Sequence, residues 1–440
     1  MGLRFSLTPY FRSDFMATEA TKNEILKNID EKELKDLVLD LVNIPSPTGS
    51  ELNMGLFVSN KLKQMGMDVI WQEVEEGRPN VIGILRGNGT GPTLEFDGHL
   101  DVSFSGNEDF MMGGASAPSG SVKKINGEDW IFGVGSFNMK AALAAYIVAA
   151  KAIIKSGHKL KGDLVISATC GEIEETQVDE FSGKQYRGYG SGARYATSHG
   201  ILPDYAILGE PTGLKIMLGH FGSFWVKLTA TGGTVVHTAW SRNVPNKIEQ
   251  FTKVIEGVKA WKKSFEERTQ FKGYNGIVNI SAIKGGRPWK GSRTPDSVSL
   301  YLDIRYPPDW PTIKVKREID SLVMDLNSKN PELNLVSEPY SVNPPTEISE
   351  DEEVVLSIKQ WHKEITGSEP EKTYELWYSN APSFNSLGAK AVNYGPSGLK
   401  RLEGLTLSDK DREYINFGDL LDCTKVYSMI ILDICNRDRK

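Results

Sequence analysis

Strand-like runs that each finish in a polar turn, with helical segments between them, constrain this chain most. Thr93–Phe96 leads into the turn DGHLD, DLVISAT (163–169) into the acidic stretch CGEIEET, and DYAIL (204–208) into GEPTG. Parallel neighbours need a crossover, usually a helix, so this alternation points to a mostly parallel sheet. The strongest helical segment, MKAALAAYIVAAKAIIKSG at 139–157, is rich in alanine and closed by Gly157. A charged helix is expected over Glu31–Val42, stopped by the prolines of NIPSPTGSE, with a second over Asn60–Met67 and a strand over Asn80–Leu85. Near the far end, AKAVNYGPSG reads as strand and turn, and Thr424–Cys435 as a closing helix.

The pattern changes in the middle. FWVKLTATG alternates like a strand, Asn246–Trp261 repeats at helical spacing, and IVNISAI and SVSLYLDIR are strands. A helix over Ile313–Leu326 and a strand near Leu333–Val336 complete a β-α-β-β-α-β order. At 440 residues the chain exceeds the usual size of one core. The expected fold is therefore α/β: a mixed, mostly parallel-sheet domain interrupted by a ferredoxin-like insert. The expected divisions are a flexible extension at 1–20, the first part of the larger domain at 21–218, the insert at 219–342, and the second part at 343–440.

A net charge of −6 with scattered Lys and Arg gives no basic stripe, which excludes nucleic acid as the expected partner. No apolar run approaches the roughly 18 residues of a membrane span. Three cysteines, Cys170, Cys423 and Cys435, cannot all pair and lack metal-ligand spacing, which fits a reducing compartment and a cytoplasmic location. The opening MGLRFS fits the loose myristoylation pattern through Gly2 and Ser6, but an unstructured extension with Met16 as an alternative start is the simpler reading.

Chemistry-bearing residues gather where strands end. His99 and Asp101 follow one strand, Glu172 a second, Glu210 closes a third, and Asn138 precedes the alanine-rich helix. Ligands of open α/β sheets bind outside the carboxyl ends of the strands, so these side chains can converge on a metal. Taken singly, each is also an ordinary satisfied polar group or cap.

The ordered set IPSPTG, FDGHLDV, GVGSFNMKAALAA, GEIEE, LGEPTG, VVHTAW with Asn246, DIR and YGPSG resembles the acetylornithine deacetylase and succinyl-diaminopimelate desuccinylase family of metallohydrolases, from about Glu31 onward. The resemblance implies that the insert is a lid and dimerisation domain, giving a homodimer or larger homo-oligomer. It makes His99 and Glu210 metal ligands and Asp101 the acid that fixes the His99 ring. Asn138 stands where the family has a bridging aspartate. His237 is matched to a histidine that polarises the scissile carbonyl across a dimer, and Asn246 and Arg305 to substrate-carboxylate contacts.

Three departures follow. Asn138 is neutral; two divalent ions about 3.5 Å apart repel by on the order of 20 kcal/mol at an effective dielectric of about 20, so losing the bridging anion weakens a second site. The family's final histidine ligand is missing, since the region after YGPSG offers only acids such as Glu403 and Glu413. The family's adjacent base and ligand acids map in two registers, one placing Glu172 at the strand end beside Gly171, the other selecting Glu174 and Glu175. The first is preferred, with Glu172 as proton acceptor. The expectation is one divalent ion, manganese or zinc, held by His99, Glu210 and the Asn138 carbonyl. The activity implied is hydrolysis of a C–N bond in a small carboxylate-bearing N-acyl substrate. Release of ammonia from an activated aromatic amine such as 5-nitroanthranilate, and a non-catalytic binding relative, stand as alternatives.

Overall fold

The computed structural model describes residues 18–104, 119–402 and 413–439. Gly2 and Ser6 of the myristoylation pattern, most of the expected extension, and Glu403 lie outside the described residues. A helix begins at Glu19, where the Thr18 hydroxyl accepts the Thr21 amide as its N-cap.

Nine strands form the main sheet. Its path runs Asp68–Glu75, Arg78–Leu85, Leu164–Thr169, Leu94–His99, Tyr205–Leu208, Lys390–Asn393, Ile216–His220 and Thr346–Glu347, with Lys372–Glu375 also pairing with Ile216–His220. The sheet is mixed. Leu164–Thr169, Leu94–His99, Tyr205–Leu208 and Lys390–Asn393 run parallel at its centre. The two strands before them are antiparallel additions. Leu94–His99 and Leu164–Thr169 are buried along their whole length, as central parallel strands covered on both faces must be.

One face is covered by the helices Lys140–Ser156 and Phe417–Ile434. Tyr146 stacks on Phe96 with ring centres 4.8 Å apart, and Tyr427 closes the cluster at 4.9 Å from Phe96. The glycine of FDGHLD permits this approach, because a Cβ at Gly98 would lie 2.9 Å from Met139 Cε and 3.0 Å from Leu143 Cδ2. The helix thus presses against the strand one residue before His99.

The middle of the chain builds a separate antiparallel sheet in the order Ile277–Gly285, Val298–Tyr306, Gly222–Ala230, Leu335–Asn343. The helices Lys247–Arg268 and Thr312–Lys329 cover it, around a core that includes Phe224, Phe251, Val258, Leu302 and Ile319. This is the expected βαββαβ order. A small third sheet, Ser121–Ile125, Glu128–Phe132 and Tyr414–Asn416, was not expected from the sequence. Its hairpin turns on Asn126 and Gly127, both at positive φ, the two-residue turn that Asn-Gly favours.

Candidate active site

Three parallel strands deliver the site. His99 is the last residue of Leu94–His99, Glu172 follows Leu164–Thr169 by three residues, and Glu210 follows Tyr205–Leu208 by two. All three are buried, and they offer ligand atoms that lie within 4.8 Å of one another. Among the described residues this is the one such group of histidine, cysteine and acid side chains. Glu172, expected as a free base, therefore stands among the donors.

The His99 ring is fixed from behind. Nδ1 lies 2.7 Å from the Asp101 backbone carbonyl and so carries the proton, donating it there. The Asp101 carboxylate, expected to orient the ring, is 3.7 Å away and serves otherwise. It accepts the Thr48 hydroxyl at 2.8 Å and the backbone amides of Glu172 at 3.0 Å and Ile173 at 3.3 Å. Asp101 thus positions the loop that carries Glu172, while its carbonyl positions His99.

With Nδ1 donating, Nε2 faces two oxygens, Asn138 Oδ1 at 3.1 Å and Glu172 Oε2 at 3.7 Å. A proton on Nε2 can bridge this gap, and a divalent cation can take its place. Two ligands about 2.1 Å from one tetrahedral ion are about 3.4 Å apart, so these spacings suit a shared divalent cation. The electrostatics agree. Burial, then the neighbouring Glu210 and Asp101 charges, push Glu172 well above the carboxylate range. Burial pushes Glu210 up to about 7 against the pull of His99. Burial disfavours a charged His99 ring, but Glu210 and Asp101 outweigh it and raise its pKa above the ordinary value. The donors hold protons that a divalent ion displaces.

Gly171 has a physical reason to be bare. Its φ is +63°, and a Cβ there would lie 2.3 Å from Ser191 Oγ and 2.5 Å from Arg78 Nη2. Arg78 is fully buried and locked by Glu51, whose oxygens accept from Nε at 3.0 and 3.1 Å and from Nη2 at 2.6 Å. Its Nη1 also donates to the Arg187 carbonyl. A guanidinium therefore fills the space a side chain at 171 would need.

Glu174 is engaged with the inserted sheet. Arg305, from Val298–Tyr306, donates Nη1 to Glu174 Oε1 at 2.8 Å and Nη2 to Oε2, and the Tyr378 amide donates to Oε1 at 3.0 Å. Burial opposes the Glu174 charge, but Arg305 prevails and holds its carboxyl below the usual range. His237 and Asn246 make their hydrogen bonds within the insert. His237 Nδ1 accepts the Ala239 amide, and Asn246 Oδ1 caps the helix Lys247–Arg268 through the Ile248 amide. The structure thus brings together His99, Asp101, Asn138, Glu172 and Glu210. It places Arg305 one residue pair behind them.

A cleft of about 760 Å³ opens onto the site. Asn138, Glu172 and Glu210 form its floor, with Phe137, Trp377 and Tyr378 among its walls. Trp377 and Tyr378 lie in no motif quoted above, and Arg78 was unmarked because its main partners, Glu51 and the Arg187 carbonyl, are remote in sequence.

Residues 96–433 match the sequence profile of Peptidase family M20/M25/M40. The chain belongs to this family. It is therefore a metal-dependent hydrolase, of a family that acts on amide and other C–N bonds of small substrates. Among curated relatives, this M20 chain is similar to the N-formyl-4-amino-5-aminomethyl-2-methylpyrimidine deformylase of Halalkalibacterium halodurans, at 22% identity over 94% of this chain and 97% of that one. It is also similar to a probable succinyl-diaminopimelate desuccinylase of Staphylococcus aureus, at 24% identity over 71% of this chain and 77% of that one. Its fold is shared with a tripeptidase from Staphylococcus aureus, at a TM-score of 0.70 and 17% identity over 92% of this chain and 99% of that one. Human carnosine dipeptidase 1 shares it too, at 0.66 and 15% over 94% and 99%. The M20 fold thus accounts for the main sheet and the inserted one. Among the described residues no helix is long and apolar enough to cross a membrane.

Proposed function

We propose that this M20 hydrolase works with a single divalent ion, manganese or zinc, and cleaves the C–N bond of a small carboxylate-bearing N-acyl compound. The observation that carries the reading is the convergence of His99 Nε2, the Glu172 and Glu210 carboxylates and one neutral amide oxygen, Asn138 Oδ1. A second ion would find an amide, not an anion, at position 138.

His99, Glu172 and Glu210 would hold the ion, with the Asn138 oxygen beside them. When bound, the ion supplies Lewis acidity, lowering the pKa of water and polarising a carbonyl. The chain's own groups do the rest. Asp101 fixes His99 through its carbonyl and the Glu172 loop through its carboxylate. Glu172 turns Oε2 toward His99, and Oε1 is the assigned proton acceptor from the attacking water. Two other positions of the loop are set aside: Gly171 has no side chain and Glu174 is held by Arg305.

His237 and Asn246 enter the reading through the homodimer or larger homo-oligomer that the resemblance implies. Support comes from the edge strand Ile277–Gly285, which leaves Ile277, Ile280 and Ile283 exposed and, among the described residues, its outer backbone row unpaired. Cytoplasmic location is supported by three buried, free cysteines. A second substrate reading, ammonia release from an activated aromatic amine, is favoured by the aromatic walls Phe137, Trp377 and Tyr378.

The test combines ion counting with product analysis. One manganese or zinc ion per chain, with acid release from N-acyl amino acids, is the expected result. Ammonia release from aryl amines instead selects the second reading. Two ions per chain refute the one-ion site, and a chain that loads no ion refutes the proposed chemistry.

A further inference from the structure

Resting on the hydrolase reading above, we infer that Arg401, rather than Arg305 of the inserted sheet, receives the substrate's carboxylate. The cleft is rich in acids, with Glu172, Glu174, Glu175, Glu210 and Glu375 on its surface. An anionic substrate entering it needs a cation other than the ion.

Among the described residues Lys215 and Arg401 line the cleft and Arg305 stands behind Glu174; of these three, two are committed. Arg305 gives Nη1 to Glu174 and the Leu376 carbonyl, Nη2 to Glu174 and Asp303, and Nε to Asp303. Turning it toward a substrate would strand Glu174 in the wall without its counter-charge, which burial makes costly. Lys215, on the cleft surface, is paired with Glu371 at 2.5 Å.

Arg401 also lines the cleft, and among the described residues it has no acidic partner. Its guanidinium carbon lies 5.3 Å from the centre of the Phe137 ring. Phe137 is the residue before Asn138, so this cation sits one side chain from the ion-binding group. A guanidinium lying over an aromatic face keeps its in-plane N–H groups free, the edge that grips a carboxylate in a two-bond fork. The substrate class that fits is a small carboxylate whose apolar part crosses Phe137, with its anion on Arg401 and its C–N bond at Glu172.

Benzoate and benzyl alcohol test the assignment, since they share the ring, differ in the charge and contain no C–N bond. The full chain, with manganese in excess, is titrated calorimetrically with each probe as wild type and as Arg401→Gln. The wild type is expected to prefer benzoate. Arg401→Gln should weaken benzoate by roughly ten- to a hundredfold, as loss of a charged hydrogen-bonded partner does, and leave benzyl alcohol unchanged. Arg401 is exposed, so the variant should keep its melting temperature. A wild type that binds benzoate no better than the alcohol, or a preference that survives Arg401→Gln, overturns the assignment. Survival would put the carboxylate on the ion. Ion content measured on the same samples judges the hydrolase reading separately.

Discussion

Glu95 offers the sharpest quantitative test of the fold. It lies two residues before Asp97 on Leu94–His99, fully buried, and among the described residues neither carboxylate oxygen has a hydrogen-bond partner. Burial, reinforced by Asp97, pushes its pKa from 4.5 to about 8, with Ser167 as the one opposing group. The folded state therefore holds Glu95 protonated where the unfolded chain ionises it. The associated stability is complete below pH 4.5 and is lost as the pH climbs through about 8. Within that window each pH unit costs about 1.4 kcal/mol, so moving from pH 5 to pH 7 removes about 3 kcal/mol through this group. Glu95→Gln keeps the shape and abolishes the titration. Denaturant unfolding of wild type and variant across that range should show the wild type falling relative to the variant by that amount. Parallel pH profiles would refute the buried, protonated carboxyl.

The remaining predictions concern the site. His99→Ala should weaken manganese or zinc binding by roughly a hundredfold or more and abolish hydrolysis, measured by ion content after dialysis. Asn138→Asp should tighten ion binding by roughly tenfold or more, because an added charge faces the cation, and a metal titration reads this directly; an unchanged affinity would mean that position 138 does not face the ion. Glu174→Gln should destabilise the chain by about 1 to 3 kcal/mol by weakening the charged hydrogen bonds of Arg305, which keeps Asp303, seen as a lower unfolding midpoint. Gly171→Ala should cost about 1 to 3 kcal/mol through its positive φ and the contact with Arg78, and should reduce activity by shifting Glu172.

Local signals made some elements legible and left others hidden. The helix Glu31–Val42 appears where it was expected because Asp30 caps it and its apolar positions repeat at helical spacing. The helix Leu52–Gln64 contains the start of the expected segment Asn60–Met67 but its own beginning carried no signal, since Glu51 there makes no cap and is spent on Arg78. The hairpin Ser121–Phe132 carried an Asn-Gly turn, but its first strand is short, lysine-bearing and exposed, without an apolar alternation. At the site, His99, Glu172 and Glu210 were legible because strand ends converge in any open parallel sheet. The commitment of Glu174 was not, since Arg305 lies 131 residues away on another sheet. The switch of Asp101 from carboxylate to carbonyl on His99 was equally hidden, because it depends on how the backbone turns after the strand.

Arg78 at Gly171 also bears on how such a sequence can change. A single codon change to an acid at 171 would drive its side chain into the guanidinium and into Ser191, on a backbone that only glycine tolerates well. Withdrawing Arg78 first would orphan Glu51 in the core. Placing an acid there requires several substitutions at once, each harmful alone, so steric and electrostatic interlock holds position 171 to a bare backbone.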